Sequence, residues 1–256
     1  GSHTVKVAEL ESHPKRGHRL VNWGISAPLA EAIVDGEIMD RQLVVDAISN
    51  LLESRSITTR NVVAAVSGRA VIVKKITMNK LSAEDAQQAV YWEAEQHVPY
   101  DINDVSLDFE ILGPAPNDPK QMQVLLVAAK KDMVMAFSDL MREAGLNPLI
   151  VDVDSFAAQN ALDANYEFGP EEVVATLNVG SEITNINITQ SGVPYFTKDL
   201  QIGGSSFTEA VQRNFRQSQA EAAAATRGES GVSHDIVPVI EQACEGLATA
   251  LERAQA

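Results

Sequence analysis

The chain has 256 residues, of which 45% are hydrophobic and 21% charged, so it holds enough apolar mass for a packed core and is not a disordered chain. Its 20 Lys and Arg against 35 Asp and Glu give a net charge of −15, which excludes an extended nucleic-acid-binding face and disfavours direct adhesion to anionic lipid. The single cysteine, Cys244, cannot form an internal disulfide and fits a reducing compartment, and no apolar run has the length of a membrane span or the pattern of a secretory signal.

At this length one large domain or two smaller ones are expected. Val5–Leu10 and Arg19–Ile25 read as strands joined by a turn over 12–18, where Lys15, Arg16, His18 and Arg19 form the one basic cluster. Pro28 to Asp40 shows no regular pattern. From Asp40 to Arg55, Leu43, Val44, Ala47, Ile48, Leu51 and Leu52 fall on one helical face, and Asn61–Val66 is a short apolar strand. Arg69–Thr77 reads as the next strand. Ser82 with Asp85 three residues on opens a helix that Pro99 stops, with Tyr91 and Trp92 expected as rim and core. Val105–Leu112 and Gln121–Ala129 are strands joined by a turn over 113–120. Asp132–Ala144 is an amphipathic helix closed by Gly145, and Leu149–Val153 completes a β-α-β-β-α-β block over 69–150 that is expected to bury its own core.

Asp154 then stands at the start of a helix over 155–165, as its N-cap. Val173–Asn178, Ile183–Thr189 and Val193–Asp199 are β segments turning at Gly180 and Gly192, and a helix over 206–216 follows Gly203-Gly204. The Ala- and Glu-rich remainder contains a loop over 227–233 and a helix from about Asp235 whose pattern continues to Ala256; truncation at both ends is expected. The five histidines lack paired ligand spacing, which argues against zinc, and no nucleophile elbow or Walker-type loop is present.

Two turns share one chemistry. Gly1-Ser2-His3-Thr4-Val5-Lys6 precedes a strand, and Asn178-Val179-Gly180-Ser181-Glu182-Ile183-Thr184 turns between two. Backbone N–H groups at such glycine turns can cradle phosphate oxygens, and small hydroxyl side chains add donors without crowding the anion. Gly1-Ser2-His3 also reads as a remnant of a cleaved tag.

Two such turns flanking an inserted block resemble the phosphate hairpins of the actin, Hsp70 and sugar kinase superfamily, and the insert resembles that of the FtsA and PilM branch. The wording 32–38 (Ala-Ile-Val-Asp-Gly-Glu-Ile), Glu93-Ala94-Glu95, Val98-Pro99-Tyr100, 124–130 (Val-Leu-Leu-Val-Ala-Ala-Lys), 144–148 (Ala-Gly-Leu-Asn-Pro), Val151-Asp152-Val153, Phe196-Thr197-Lys198-Asp199 and Ile202-Gly203-Gly204 is similar to the PilM family of type IV pilus assembly proteins. The resemblance runs from residue 1 to about 216.

That resemblance implies an α/β fold with an actin-like (ribonuclease H-like) core. Residues 1–68 with 151–200 would form the first lobe, 69–150 an inserted subdomain, and 201–256 an incomplete second lobe. It implies ATP with Mg²⁺ in a cleft, with contacts at Gly1, Ser2, His3, Thr4, Lys6, Asn178, Gly180, Ser181, Glu182, Thr184, Gly203, Gly204 and Glu221, and an acid at Asp154 able to position attacking water. Actin-like ATPases usually carry Asp at this place in the second hairpin; here it is Asn178, itself similar to the PilM family, which favours binding over fast hydrolysis. Of an Ala-Glu-x-x-Lys element, Ala220-Glu221 are present and the lysine position is Ala224.

The implied role is a cytoplasmic scaffold at the inner face of the inner membrane. It would dock the short N-terminal segment of PilN in a groove beside the insert, touch other inner-membrane and motor components, and leave room for an oligomer or ring. An actin-like ATPase with real turnover, an FtsA-like membrane tether and a GspL-type secretion scaffold are the alternatives.

Overall fold

The computed structural model describes residues 3–15, 17–29, 31–34, 37–68, 71–229 and 235–255. Strands β1 (Lys6–His13) and β2 (Gly17–Ile25) form an antiparallel hairpin. The irregular stretch before Asp40 holds two short paired strands, β3 (Ile33–Val34) and β4 (Glu37–Ile38). Asp40 caps α1 (Arg41–Ser54) by accepting the Leu43 amide, and the helix buries Val44, Val45, Ile48, Leu51 and Leu52. Val44, Ile48, Leu51 and Leu52 lie on the stripe that the i, i+3, i+4 spacing marks, whereas Leu43 is exposed and Val45, which the spacing leaves out, is buried. Strand β5 (Asn61–Val66) follows.

The next four elements make a unit with its own core. They are β6 (Val71–Asn79), α2 (Ala83–His97), β7 (Val105–Ala115) and β8 (Asp118–Lys130), with β8 central in an antiparallel sheet of order β6-β8-β7. The central position explains why Val124, Leu126 and Ala128 are fully buried. Helix α2 lays Ala86, Val90 and Ala94 on that sheet, one residue every four. Tyr91 and Trp92 fall off this stripe and both are exposed, Trp92 by 72%, so Trp92 is not part of the core.

Helix α3 (Lys131–Glu143) and strand β9 (Asn147–Val153) complete the expected β-α-β-β-α-β order. Their packing differs from the expectation. Both edges of β8 are taken, and β9 pairs parallel with β5, from Asn61 opposite Asn147 to Val66 opposite Val153. Leu140 and Ala144 join the cluster of α1 with Leu29, Ala32 and Ile57. The segment 131–153 thus returns to the first part of the chain, and the block does not bury its core alone.

Helix α4 (Asp154–Asp163) leads to an antiparallel sheet of β10 (Val173–Val179), β11 (Thr184–Gln190) and β12 (Val193–Leu200). Helices α5 (Gly204–Phe215), α6 (Gln219–Thr226) and α7 (Val237–Gln255) follow. Central strand β11 is buried on both faces. Ile186, with Leu200 of β12, packs on Leu247, Ala250 and Leu251 of α7. Strands β11 and β12 thus share this core with α7.

The opposite face of β11 carries Asn185, Asn187 and Thr189, all buried. Its hydrogen bonds are internal: Asn187 donates to Gln159 of α4 (2.9 Å), the Thr197 hydroxyl donates to Asn187 (2.9 Å), and Gln159 donates to the Gly192 carbonyl (2.7 Å). Among the described residues no helix is long and apolar enough to cross a membrane.

Candidate functional site

The turn between β10 and β11 is closed by the Gly180 amide donating to the Ile183 carbonyl at 2.9 Å. A Cβ on Gly180 would stand 2.7 Å from that carbonyl oxygen, so the turn requires glycine there. At the tip, the amides of Ser181, Glu182 and Ile183 have no hydrogen-bond partner among the described residues. Adjacent unpaired N–H groups at a glycine turn are suited to hold an oxyanion.

The other side of the tip is fastened. The Gly204 amide donates to the Gly180 carbonyl (2.9 Å), and the Ser205 amide and hydroxyl both donate to the Ser181 carbonyl at 2.8 Å. Thr184 Oγ1 donates to the Ile202 carbonyl at 2.6 Å. Gly203 lies so close that a Cβ would meet the Ser181 oxygen at 2.5 Å and its carbonyl carbon at 2.6 Å. The backbone of Gly203 is extended (φ −154°), so close approach, not special dihedrals, dictates the glycine. The first amides of α5 are thus spent on the hairpin, whose own amides stay available. Glu182 Oε2 is buried beside the tip with no partner among the described residues.

Asn178 is exposed, and its side-chain amide donates to Asn185 Oδ1 (3.1 Å). Asn185 in turn donates to Asp199 Oδ1 at 2.7 Å, so a polar row crosses all three strands. Asp154 is the first residue of α4 and makes no cap hydrogen bond; Val153 holds the cap position. The N-cap role expected of Asp154 is therefore not found, although its charge in the first turn suits the helix dipole. Next to it, Ser155 is 4% exposed and its hydroxyl has no partner among the described residues. Ser155 and Val153 line a cavity of about 290 Å³ with Gly68, Val71, Asn185 and Asp199, where β6 meets α4 and the β11–β12 strands.

The first glycine turn is divided. Gly1 and Ser2 lie outside the described residues. The His3 carbonyl accepts the Leu29 amide (2.8 Å), the Val5 amide donates to Ser26 Oγ (2.9 Å), and Lys6 Nζ donates to Thr4 Oγ1 (3.0 Å). No hydrogen bond among the described residues joins 3–6 to the 178–184 hairpin. Glu221 is in a capping box: its carboxylate accepts both the hydroxyl and the amide of Ser218, and these bonds hold it below the usual carboxylate range.

Ser155, Asn185 and Asp199 escaped the sequence reading. For Asn185 the signal is polar residues repeating every second position along β11, a strand with no glycine or proline, which reads as a solvent face unless a helix covers it; Ser155 in α4 and Asp199 in β12 carry no such signal.

The arrangement of sheets and helices is that of the actin-like proteins. The chain superposes on MreB5 of Spiroplasma citri bound to AMPPNP with a TM-score of 0.53 at 11% identity, covering 100% of this chain and 79% of that one. It superposes on the ethanolamine utilization protein EutJ of Carboxydothermus hydrogenoformans with a TM-score of 0.54 at 12% identity, covering 99% and 68%. At these identities the likeness is one of fold.

The family described as type IV pilus assembly protein PilM matches residues 1–254, and the chain belongs to that family. In accord with this, a solved PilM–PilN type IV pilus biogenesis complex aligns with a TM-score of 0.85 at 28% identity, covering 99% of this chain and 74% of its counterpart.

Proposed function

We propose that this protein is an ATP-binding scaffold of the type IV pilus machine that docks the N-terminal cytoplasmic segment of PilN. The observation that carries the nucleotide half is the β10–β11 tip, where the Ser181, Glu182 and Ile183 amides are unpaired while the carbonyls behind them are locked to α5. These amides would hold phosphate oxygens, with Thr184, Gly203 and Gly204 setting the tip's position. The unpartnered Glu182 oxygen is an acceptor for Mg²⁺, bound water or a ligand hydroxyl. The remaining contacts would come from Gly1, Ser2, His3, Thr4 and Lys6 across the cleft and from Glu221.

A scaffold is favoured over an ATPase because Asn178 carries no charge for a metal and its amide is committed to Asn185. Asp154 is the acid that would position water in any residual turnover. The partner half rests on the likeness to the PilM–PilN complex. A peptide lying between the first lobe and the β6-β8-β7 unit would bring the protein to the inner face of the membrane through its partner, with other inner-membrane and motor components assembling around it.

Equilibrium titration of full-length protein with a fluorescent ATP analogue and Mg²⁺ tests the nucleotide half. Gly180→Ala, whose Cβ would force the Ile183 carbonyl aside, is expected to weaken binding about tenfold or more. Equal affinity for wild type and variant would remove the hairpin from the site.

A further inference from the structure

The polar row across β10, β11 and β12 does not stop at the sheet edge. Asp199 accepts Asn185 Nδ2 on one oxygen and, on the other, the backbone amide of Gly68. Gly68 lies in the connection between β5 and β6, the first strand of the inserted unit, and it has φ +101°, a conformation that only glycine adopts readily. Its carbonyl accepts the Val71 amide at 3.0 Å, which ties it to the start of β6. A second contact spans the same junction, with Lys75 Nζ of β6 5.0 Å from the centre of the Tyr195 ring on β12.

Asn178 donates to Asn185, Asn185 donates to Asp199, and Gly68 donates to Asp199 from the other side. Asn185 is 6% exposed, so little of it meets bulk water and its bonds to Asn178 and Asp199 are its main partners. Asn178 stands two residues before Gly180, at the root of the hairpin.

We propose that Asp199 is a positioning residue that ties the β10–β11 hairpin to the base of the inserted unit through Asn185 and Gly68. In this proposal, a shift of the hairpin on ligand binding changes how firmly the β5–β6 connection is held, and with it the seating of β6. As a route between nucleotide and partner it rests on the function proposed above; as a mechanical link it stands on the hydrogen bonds alone.

The test is backbone amide exchange at Gly68 in the full-length protein, read first without ligand. Asn185→Asp sets a second carboxylate against Asp199 and is expected to speed Gly68 exchange roughly tenfold or more. The double variant Asn185→Asp with Asp199→Asn restores every bond. The Asn at 199 keeps an oxygen for Gly68 and gains a donor for the carboxylate at 185, which still accepts from Asn178. Exchange at Gly68 should return to within about threefold of wild type. If Asn185→Asp alone fails to fold, Asn185→Ala replaces it, and recovery of folding in the double variant is itself the rescue.

Unchanged Gly68 exchange in the single variants, or no rescue by the swap, overturns the link. ATP–Mg²⁺ is then added. Protection at Gly68 that changes in wild type and in the swapped variant but not in Asn185→Ala supports the coupling; ATP bound with no change at Gly68 overturns it. Absence of any ATP binding in the same samples refutes the proposed function and leaves the ligand-free result to decide the link.

Discussion

Substituting Gly203 should do more harm than substituting the glycine beside it. A Cβ at Gly203 would stand 2.5 Å from the Ser181 oxygen and 2.8 Å from the Glu182 carbonyl carbon, all backbone atoms that no rotamer change can move. Ordinary contact requires the hairpin to retreat by nearly 1 Å, roughly the displacement at which the bonds from Gly204 and Ser205 to the Gly180 and Ser181 carbonyls are lost. At about 1 kcal/mol for each bond, or 1–3 kcal/mol if the strain is borne instead, Gly203→Ala should cost about 2–4 kcal/mol.

In a chain of this size that lowers the melting temperature by about 5–10 °C. At Gly204 the nearest atom to a new Cβ is the Gly180 oxygen at 3.6 Å, an ordinary contact within the first turn of α5. Gly204→Ala should be neutral, or stabilising by up to about 1 kcal/mol. Thermal melting followed by circular dichroism, with both variants side by side, decides the matter. A Gly203→Ala protein melting within about 2 °C of wild type, or a Gly204→Ala protein melting lower than it, would refute the close-packing argument.

Asn187→Leu removes the donor to Gln159 and the acceptor for Thr197 at a site 1% exposed, and denaturant titration should show a loss of about 2–3 kcal/mol. Glu143 is held below its usual carboxylate range first by its hydrogen bonds from Arg41, so the pair's contribution is present above the ordinary carboxylate pKa and is lost as pH falls through the lowered one. Glu143→Gln should therefore lower stability slightly in the neutral region, where the pair contributes, leave the acid end little changed, and so flatten the acid limb of a stability–pH curve. Glu221→Gln should keep the capping box of α6, because glutamine can accept from Ser218 in the same way, whereas Glu221→Ala should lower the melting temperature.

Much of this fold was legible in the sequence because local signals coincide with local structure. Ser82 caps α2 by accepting the Asp85 amide, Gly145 closes α3 with φ +75°, and Val44, Ile48, Leu51 and Leu52 of the α1 stripe are buried as spaced. What the sequence hid were matters of partnership. Nothing in Asn147–Val153 says whether it pairs with β8 or with β5, since strand propensity carries no address. Asn185, Asn187 and Thr189 look like a wet face because the helix that covers them, α4, meets them with Gln159 rather than with apolar residues. The glycines at 180, 203 and 204 were legible as a group, but the physical cause, the stacking of Gly203 on Ser181, needed the third dimension. Trp92 shows the limit from the other side: a large aromatic residue two positions past Val90 in α2 misses the buried stripe altogether.

The central claim, a nucleotide-binding scaffold that receives PilN, is tested most directly by calorimetric titration of the full-length protein with ATP–Mg²⁺ and then with a PilN N-terminal peptide, with phosphate release followed in the same samples. The account predicts that both ligands bind and that phosphate release stays near background. Rapid phosphate release with no heat on addition of the peptide would contradict it and make the protein an enzyme.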